Sequence, residues 1–385
     1  MPSYIQRGII PAKRHTQFRK TDGGLYAEQL VSTEGFSSDS SLLYHEHAPT
    51  AIIRSEDPLF VGPSPAGNNQ LKHRSFEGFA ISPAEDFLES RRTILFNNDL
   101  QISLAAPGKS MSRYFYKNAA ADELIFVHEG SGHVQTAFGR LNFHSGDYIC
   151  IPRGTVYQIN FEGNTSRLLI IESFSPIRFP DKYLSKYGQL LEHAPFCERD
   201  IRTPSDCPPI AEEGEFLIVI KKQGFLHQLY YRYHPFDVIG WDGCCYPFVF
   251  SIHDFEPITG RLHQPPPVHQ TFEAKNFVVC SFVPRLFDYH PLSVPAPYNH
   301  SNVDSDELLY YVDGDFMSRK NVTRGMLTLH PGGIPHGPHP GTVEKSIGAK
   351  ETKELAVMVD TFHPLMLTQN ALNIENDHYT KSWIE

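Results

Sequence analysis

The feature that most constrains this chain is a turn frame that occurs twice, each time within short apolar runs. Residues 146–157 read GDYICIPRGTVY, and residues 325–336 read GMLTLHPGGIPH. Both follow the pattern G-x5-P-x-G-x2, but the final residue is Tyr157 in the first copy and His336 in the second. A repeated frame of this kind predicts two copies of one structural unit.

Short apolar runs separated by turn residues fill most of the sequence. The 385 residues include 30 prolines and 27 glycines, which interrupt segments rich in Val, Ile, Phe and Tyr. Such punctuation is typical of many short strands joined by turns. Helical periodicity is scarce, and it favours one helix over Pro180 to His193. The clearest candidate strands are Glu123 to Gly130, Asp147 to Gly154, Arg167 to Phe174, Asn276 to Val283 and Glu354 to Thr361.

The repeated frame resembles the second motif of the cupin barrel, a small antiparallel β-barrel of jelly-roll type. The chain therefore resembles a bicupin: mostly β, with two barrels and an irregular N-terminal arm. We expect the first barrel to lack metal, because Tyr157 stands where the second barrel has His336. The expected segments are the arm with edge strands over 1–110, the first barrel over 111–175, a linker and helix over 176–244, and the metal-bearing second barrel over 245–385.

A set of metal-ligand residues lies in the second copy. His300-Ser301-Asn302, a gap of four residues, Glu307, six further residues and Gly314 fit the first cupin motif, with Asn302 replacing its second histidine. Side chains of neighbouring barrel strands converge inside the barrel, so His300, Glu307 and His336 should meet there. Two imidazoles and one carboxylate are the ligand set of non-haem Fe(II) oxygenases. The sequence thus predicts an Fe(II) site held by these three residues.

Three further histidines lie near this pattern. His330, six residues before His336, is either close to a bound ligand or simply packed in the core. His263 and His269 flank the segment HQPPPVHQ, whose three prolines hold an extended backbone that could direct a side chain into the barrel mouth. For each of these two residues, a histidine in a surface loop is the alternative interpretation.

Charge and hydropathy exclude some classes of partner. The net charge is −10 and no run of Lys or Arg occurs, whereas a nucleic-acid-binding protein needs a clustered basic face. No stretch of 18 or more apolar residues is present, and the N-terminus lacks the apolar segment of a secretory signal. We therefore expect a cytoplasmic protein that binds neither nucleic acid nor membrane, and whose partner is a small molecule.

Several segments together resemble homogentisate 1,2-dioxygenases. They are GLYAEQL near the N-terminus, FGRLNFHSGDYICIPRG in the first barrel, and FVPR, YNHSN and PHGP in the second. The resemblance implies Fe(II)-dependent, extradiol-type opening of homogentisate by O₂ to maleylacetoacetate, a step of tyrosine and phenylalanine catabolism. By position it assigns the iron to His300, Glu307 and His336, and it makes His263 the catalytic acid/base histidine. It also implies assembly into trimers or hexamers.

The same resemblance places the aromatic substrate beside His330, His336 and Phe316. Phe316 stands where animal members of the family have a substrate-contacting tyrosine, so the substrate can differ in the side chain on its ring. A dioxygenase for gentisate, a hydroquinone or another phenol would keep the same iron ligands. A non-catalytic cupin that binds or stores a small ligand would need no O₂ chemistry. The sequence alone leaves two candidates for the acid/base residue, His263 and His269.

Overall fold

The computed structural model describes residues 3–67, 70–314, 316 and 321–384. In these residues the chain is mostly strand. The strands are β1 (Ile5–Gly8), β2 (Ala27–Ser32), β3 (Ser40–His45), β4 (Ile52–Ser55), β5 (Leu59–Phe60), β6 (Arg74–Glu77), β7 (Arg92–Phe96), β8 (Leu100–Ala105), β9 (Phe115–Asn118), β10 (Asp122–Glu129), β11 (Gly132–Thr136), β12 (Gly139–Phe143), β13 (Asp147–Ile151), β14 (Val156–Phe161), β15 (Arg167–Ser173), β16 (Ile201–Arg202), β17 (Glu213–Lys222), β18 (Phe225–Tyr233), β19 (Val238–Gly243), β20 (Phe248–Ser251), β21 (Gln270–Ala274), β22 (Phe277–Phe282), β23 (Arg285–Leu286), β24 (Asp306–Asp313), β25 (Met326–His330), β26 (Glu351–Thr352), β27 (Leu355–Thr361) and β28 (Met366–Leu367). The α-helices are α1 (Thr342–Ser346) and α2 (Gln369–Asn373), and the 3-10 helices are η1 (Gly78–Ala80), η2 (Asp181–Tyr183), η3 (Glu198–Asp200), η4 (Ile252–Asp254), η5 (Pro266–His269) and η6 (Tyr379–Trp383). None of the helices within the described residues has the length and apolar character needed to cross a membrane.

The first barrel is built from two large sheets. One has the strand order β16-β20-β13-β10-β15-β8-β7-β28, and the other has the order β12-β11-β14-β9-β17-β18-β4, with β5 also paired to β18. Their apolar side chains meet in a core that includes Ile125, Val134, Ile159 and Val219. Neighbouring strands are mostly antiparallel and often distant in sequence, as in jelly-roll barrels. A separate four-stranded sheet, β1-β19-β3-β2, carries the N-terminal strands.

The second barrel packs against the first through a six-stranded sheet. This sheet has the order β21-β22-β27-β24-β25-β6, and the short pair β23-β26 lies apart from it. Leu124 and Phe126 of β10 share one apolar cluster with Leu308 and Tyr310 of β24. Since successive strand residues point to opposite faces, β10 and β24 each use one face for this contact and turn the other into a barrel. The prediction of a mostly β bicupin is confirmed.

The repeated turn frame is held in the same way in both barrels. The carboxylate of Asp122 at the start of β10 accepts a hydrogen bond of 3.0 Å from the backbone amide of Arg153. At the start of β24, the carboxylate of Asp306 accepts one of 2.8 Å from the amide of Gly332. Asp122 thus fixes the turn that follows β13, the strand paired with β10, and Asp306 fixes the turn that follows β25, the strand paired with β24. It also places the next residue, Glu123 or Glu307, on the inward face.

The helix expected over residues 180–193 is wrong. The structure has only the 3-10 helix η2 there, followed by a tight turn. Gly188 has a φ of 84°, which a right-handed helix does not allow, and Leu184 and Leu190 form an antiparallel bridge around the turn. Tyr183 and Leu190 are buried as the pattern suggested, but a turn buries them instead of a helix face.

The sheets cross the expected segment boundaries. From the expected arm, β6 joins the six-stranded sheet of the second barrel, while β7 and β8 join the first barrel. From the expected linker, β17 and β18 form a long hairpin whose turn, Gln223-Gly224, has positive φ at both residues. Most residues of β18 are half-buried, so the hairpin lacks the strict alternation that marks a strand in sequence.

Buried His128 joins the two barrels through hydrogen bonds of both its ring nitrogens. Its Nε2 accepts a hydrogen bond of 2.9 Å from the Arg324 guanidinium, and its Nδ1 lies 2.7 Å from the hydroxyl of Tyr310. Burial, with the nearby charge of Arg324, lowers the pKa of His128 to about 4. The folded protein therefore holds this imidazole in its neutral form down to that pH.

We expect acid to destabilise the protein through His128. The unfolded chain takes up a proton at its ordinary pKa of about 6.5, whereas the folded chain does not until about 4. The contribution of His128 to the free energy of unfolding is therefore fully present above pH 6.5. Below that pH, down to about pH 4, the free energy of unfolding falls by about 1.4 kcal/mol per pH unit, or about 2 kcal/mol at pH 5. Urea unfolding at pH 7.5 and pH 5 measures this drop, which should be smaller in His128→Gln. An equal drop in both proteins would contradict the assignment.

Candidate metal centre

Three side chains with metal-ligand atoms converge in the second barrel. The ligand atoms of His300, Glu307 and His336 all lie within 4.8 Å of one another. Glu307 Oε2 is 3.6 Å from His300 Nε2, and Glu307 Oε1 is 3.4 Å from His336 Nε2. The two imidazole rings are 4.2 Å apart between centroids. The structure thus brings together the three residues that the sequence predicted as iron ligands.

Backbone pairing sets the distance between the two histidines. The amide of His300 donates to the carbonyl of His336 at 2.8 Å, and the amide of His336 donates to the carbonyl of His300 at 2.9 Å. Gly337 permits this approach, because a Cβ at that position would lie 2.2 Å from Oδ1 of Asn299. The ring of His300 is oriented by a contact of 3.2 Å between its Nδ1 and the carbonyl of Tyr298, which leaves Nε2 toward Glu307.

Glu307 is held as a carboxylate at the centre of the group. Burial alone would raise its pKa, but contacts with His300, His330 and His336 hold the pKa well below its usual value. The contact of His336 with Glu307 lacks hydrogen-bond direction, and neither ring nitrogen of His336 has a hydrogen-bond partner among the described residues. A buried polar group without a partner costs about 1–3 kcal/mol. A metal ion bound by Nε2 would relieve this cost.

The donor set fits a divalent transition metal. Two imidazole nitrogens and a carboxylate oxygen suit iron and its neighbours in the first row, while Mg²⁺ and Ca²⁺ prefer oxygen ligands. The side chain of His300 is 29% exposed, whereas those of Glu307 and His336 are buried. The three residues could therefore hold a metal ion that remains open to ligands on the side of His300.

His330 supports the carboxylate of Glu307 from behind. Its Nδ1 lies 2.7 Å from Glu307 Oε1, and its Nε2 lies 2.9 Å from the hydroxyl of Tyr379. The side chain is completely buried. A group hydrogen-bonded to a ligand in this way fixes its orientation. Both ring nitrogens thus face protein groups, so the geometry adds no support to the prediction that His330 binds substrate.

Residues from distant parts of the chain complete the surroundings. His73, before β6, places its ring 6.1 Å from that of His336, and its Nε2 lies 3.1 Å from the carbonyl of Pro335. Tyr379 and Trp383 of η6 pack on His330 from the C-terminal side. Asp360 of β27 pairs directly across from Glu307, and burial, with the charge of Glu307, raises the pKa of Asp360 to about 7. Sequence reasoning missed these residues, since no local motif contains them.

The two histidines around the triple proline lie in different environments. The side chain of His263 is 51% exposed, and its Nδ1 is 3.0 Å from the carboxylate of Asp288. It lines a cleft of about 530 Å³ with Tyr298, the residue whose ring stands between His263 and His300. His269 is buried beside Phe282. Burial, with the charges of Arg285 and Lys182, lowers the pKa of His269 to about 3.

Phe316 lies in an apolar cluster on the same face of the sheet as Glu307. Its ring packs edge-on against Tyr311 at 4.6 Å, with Met326 and Ala356 as further members of the cluster. Tyr311 is four residues beyond Glu307 on β24, which corresponds to roughly 13 Å along a strand. Phe316 is thus placed with the apolar lining of the second barrel, some distance from the three converging side chains.

The first barrel has an ionic network in the equivalent position. Glu123 takes the place of Glu307, and its carboxylate accepts hydrogen bonds from Tyr157 at 2.7 Å and from Arg91 at 2.8 Å. Arg91 also lies 3.0 Å from Glu172. Within the part of the chain that the structure describes, the only group of three or more metal-ligand residues is the one in the second barrel. In the first barrel, the guanidinium of Arg91 provides the positive charge that a metal ion would provide beside Glu307 in the second.

Comparison with known proteins identifies the family. The family model described as homogentisate 1,2-dioxygenase N-terminal matches residues 6–252. A protein of Saccharolobus solfataricus named "Putative dioxygenase" is 40% identical over 385 residues, covering 100% of this chain and 99% of its own. Homogentisate 1,2-dioxygenase of Dictyostelium discoideum is 28% identical over 417 residues, covering 98% of this chain and 93% of its own.

Among solved structures, a cupin 2 conserved barrel domain protein from Leptotrichia buccalis is 11% identical and has a TM-score of 0.34, covering 79% of this chain and 100% of that one. The family assignment therefore depends on the sequence matches, which extend over both barrels and reach 40% identity across the whole chain. On these matches, the chain belongs to the homogentisate 1,2-dioxygenase family of dioxygenases.

Proposed function

We propose that this chain is an Fe(II)-dependent, extradiol-type dioxygenase that opens a para-dihydroxylated aromatic ring with O₂. Homogentisate, giving maleylacetoacetate, is the first substrate to consider, since a homogentisate 1,2-dioxygenase is among the relatives. The observation that carries the proposal is the convergence of His300, Glu307 and His336, with neither ring nitrogen of His336 hydrogen-bonded to any residue that the structure describes. A ring-opening dioxygenase needs such an open ligand set.

The residues divide the chemical work among them. His300, Glu307 and His336 hold the metal, and His330 keeps the carboxylate of Glu307 in its orientation through the 2.7 Å contact. Bound Fe(II) would supply a centre at which O₂ and the ionised phenol meet side by side. The substrate approaches from the cleft lined by His263 and Tyr298, which adjoins the three ligands at the ring of Tyr298 beside His300. The protein's own part is to exclude most water, to orient the ring and to remove a proton.

His263 is the group that takes the phenolic proton. Asp288 accepts a hydrogen bond from its Nδ1–H, which leaves the lone pair on Nε2. A carboxylate in this position also stabilises the imidazolium that forms when the proton arrives, as in other His–Asp pairs. A histidine acts well as a general base near neutral pH because its ordinary pKa lies close to that pH.

Phe316 is the reason for testing other phenols as well. A phenylalanine in an apolar cluster offers no hydroxyl to the substrate, unlike the tyrosine expected from the family resemblance. Gentisate, hydroquinone and related phenols are therefore the second candidates. For each of them the metal ligands and the proton acceptor are unchanged, and only the contacts with the ring substituent differ.

O₂ uptake by the Fe(II)-reconstituted protein tests the proposal. Homogentisate, gentisate and hydroquinone are supplied separately, and ring opening is followed by mass spectrometry of the product. We expect one of these phenols to consume O₂ and to gain both oxygen atoms. Iron-loaded protein that binds a phenol without consuming O₂ would instead be a non-catalytic binding protein, and the proposal would fail.

The family resemblance also supports a cytoplasmic trimer or hexamer. Several large apolar side chains of the second barrel are highly exposed, among them Leu262, Leu292 and Val303. An assembly of subunits would remove such side chains from water, which is favourable for apolar groups. Light scattering coupled to gel filtration measures the mass directly, and a monomer at micromolar concentration would contradict this part of the proposal.

A further inference from the structure

A carboxylate for which the proposed mechanism has no use lies beside Glu307. On the six-stranded sheet, Asp360 of β27 is the direct cross-strand partner of Glu307, and His330 of β25 is its partner on the other side. Directly paired residues of antiparallel strands project from the same face of a sheet. The carboxylate of Asp360 therefore projects to the same side of the sheet as the metal ligand.

One oxygen of this carboxylate has no hydrogen-bond partner in the part of the chain that the structure describes. Oδ1 of Asp360 is buried and accepts no hydrogen bond within the residues that the structure describes. The residue as a whole is only partly covered, so the group is not sealed in the core. Rotation about the last side-chain bond of an aspartate is soft, so either oxygen can be turned toward a ligand. Since no described residue supplies a donor to this oxygen, the position can accept a hydrogen bond from a bound ligand.

The first barrel provides an internal reference for this position. Glu172 of β15 pairs across from Glu123 in the same way as Asp360 pairs across from Glu307. Its oxygens are bound by Lys221 at 2.7 and 2.9 Å and by the amide of Asn118 at 2.6 Å. The first barrel thus supplies donors from its own chain to the equivalent carboxylate, whereas no described residue of the second barrel donates to Oδ1 of Asp360.

We infer that Asp360 is a substrate-positioning residue, whose carboxylate accepts a hydrogen bond from the ring hydroxyl opposite the one that meets the metal. This inference rests on the proposed function and specifies its substrate class. A ring with a hydroxyl or another hydrogen-bond donor at that position is favoured. The negative charge of Glu307, and that of Asp360 above pH 7, disfavour an anionic substituent at that position, so an acidic side chain on the ring must point away from β27.

Anaerobic binding of two probes tests the inference without any turnover. Hydroquinone and phenol are titrated calorimetrically into the Fe(II)-loaded protein at pH 8.5, where the carboxyl of Asp360 is ionised, since phenol lacks only the second hydroxyl. A hydrogen bond to a charged acceptor corresponds to about tenfold to hundredfold in affinity. We expect wild-type protein to prefer hydroquinone by about this factor and Asp360→Ala to lose the preference, with Asp360→Asn in between. Asp254→Asn, which changes an exposed aspartate on η4, is the matched control and should keep the preference.

Iron content is measured in every variant beside the affinities. Loss of the preference at full iron content supports the inference, and an unchanged preference in both Asp360 variants overturns it. Loss of iron in Asp360→Ala and Asp360→Asn also overturns it, because Asp360 would then support the metal. Failure of the proposed function gives a different result. In that case wild-type protein prefers hydroquinone to phenol but consumes no O₂ with any phenol. Conversely, ring opening without the preference leaves the function standing and removes the inference.

Discussion

Replacing Glu307 with glutamine should leave a folded protein that no longer retains iron. Glutamine has nearly the same shape, but it removes the negative charge that the two histidines face at 3.4 and 3.6 Å. Even groups that merely support a ligand change metal affinity by about 10- to 100-fold, so loss of the carboxylate ligand should cost at least about 100-fold. His300→Ala and His336→Ala should behave similarly, while wild-type protein keeps roughly one iron per chain.

Metal analysis after reconstitution and desalting measures this loss directly. A second measurement is thermal unfolding, since an ion that binds only the folded state raises the melting temperature. Added Fe(II) should raise the melting temperature of wild-type protein but not that of Glu307→Gln. Tyr157→Phe changes the equivalent position of the first barrel and should retain full iron, because the hydroxyl that it removes binds Glu123 of the first barrel and none of the three ligands. Full iron occupancy in all three ligand variants would refute the assignment of the site.

The metal group could be predicted from sequence because its members belong to local motifs. Glu307 follows Asp306 at the start of β24, and His336 ends the turn that Asp306 holds through Gly332. Spacing within one strand and one turn is set by local backbone geometry, so it is visible along the chain. The repeat showed in the same way that Tyr157 replaces the histidine in the first barrel.

The surroundings of the site could not be predicted, because they depend on pairing between distant segments. Asp360 reads as the end of an apolar strand, and only the register of β27 against β24 places it opposite Glu307. His73 and Tyr379 approach His336 and His330 from opposite ends of the chain. A single sequence gives no signal for such contacts.

The predictions of the fold that differ from the structure, the helix over 180–193 and the linker over 176–244, have the same cause. The segment around Gly188 carries spaced Leu and Tyr residues, which suit one side of a helix and a folded turn equally well. Packing of Tyr183 and Leu190 into the core selected the turn. The hairpin of β17 and β18 falls in the segment expected to be linker and helix, because its strands lack the strict alternation of apolar residues that marks a strand in sequence. In each case tertiary contacts decided between local alternatives.

His263→Ala should keep its iron and lose about 100- to 10,000-fold in turnover, the usual contribution of a general base. His263 lines the cleft next to His300, and Asp288 at 3.0 Å fixes the tautomer that leaves Nε2 able to accept the proton. Asp288→Asn keeps the imidazole but weakens its orientation, so we expect a smaller loss in the same direction. The turnover number and the iron content are measured on the same preparations, because a fall in iron would point to a structural role.

His269→Ala is the decisive comparison. His269 is buried against Phe282, so its removal should mainly open a cavity and lower the melting temperature. Turnover per folded, iron-loaded molecule should fall less than in His263→Ala. Its environment nevertheless keeps the imidazole neutral, with a pKa of about 3, and Nδ1 has no hydrogen-bond partner among the described residues. If His269→Ala is crippled at full iron content while His263→Ala turns over nearly as wild type does, then the proton passes to His269, and the cleft beside Asp288 is only an approach to the site.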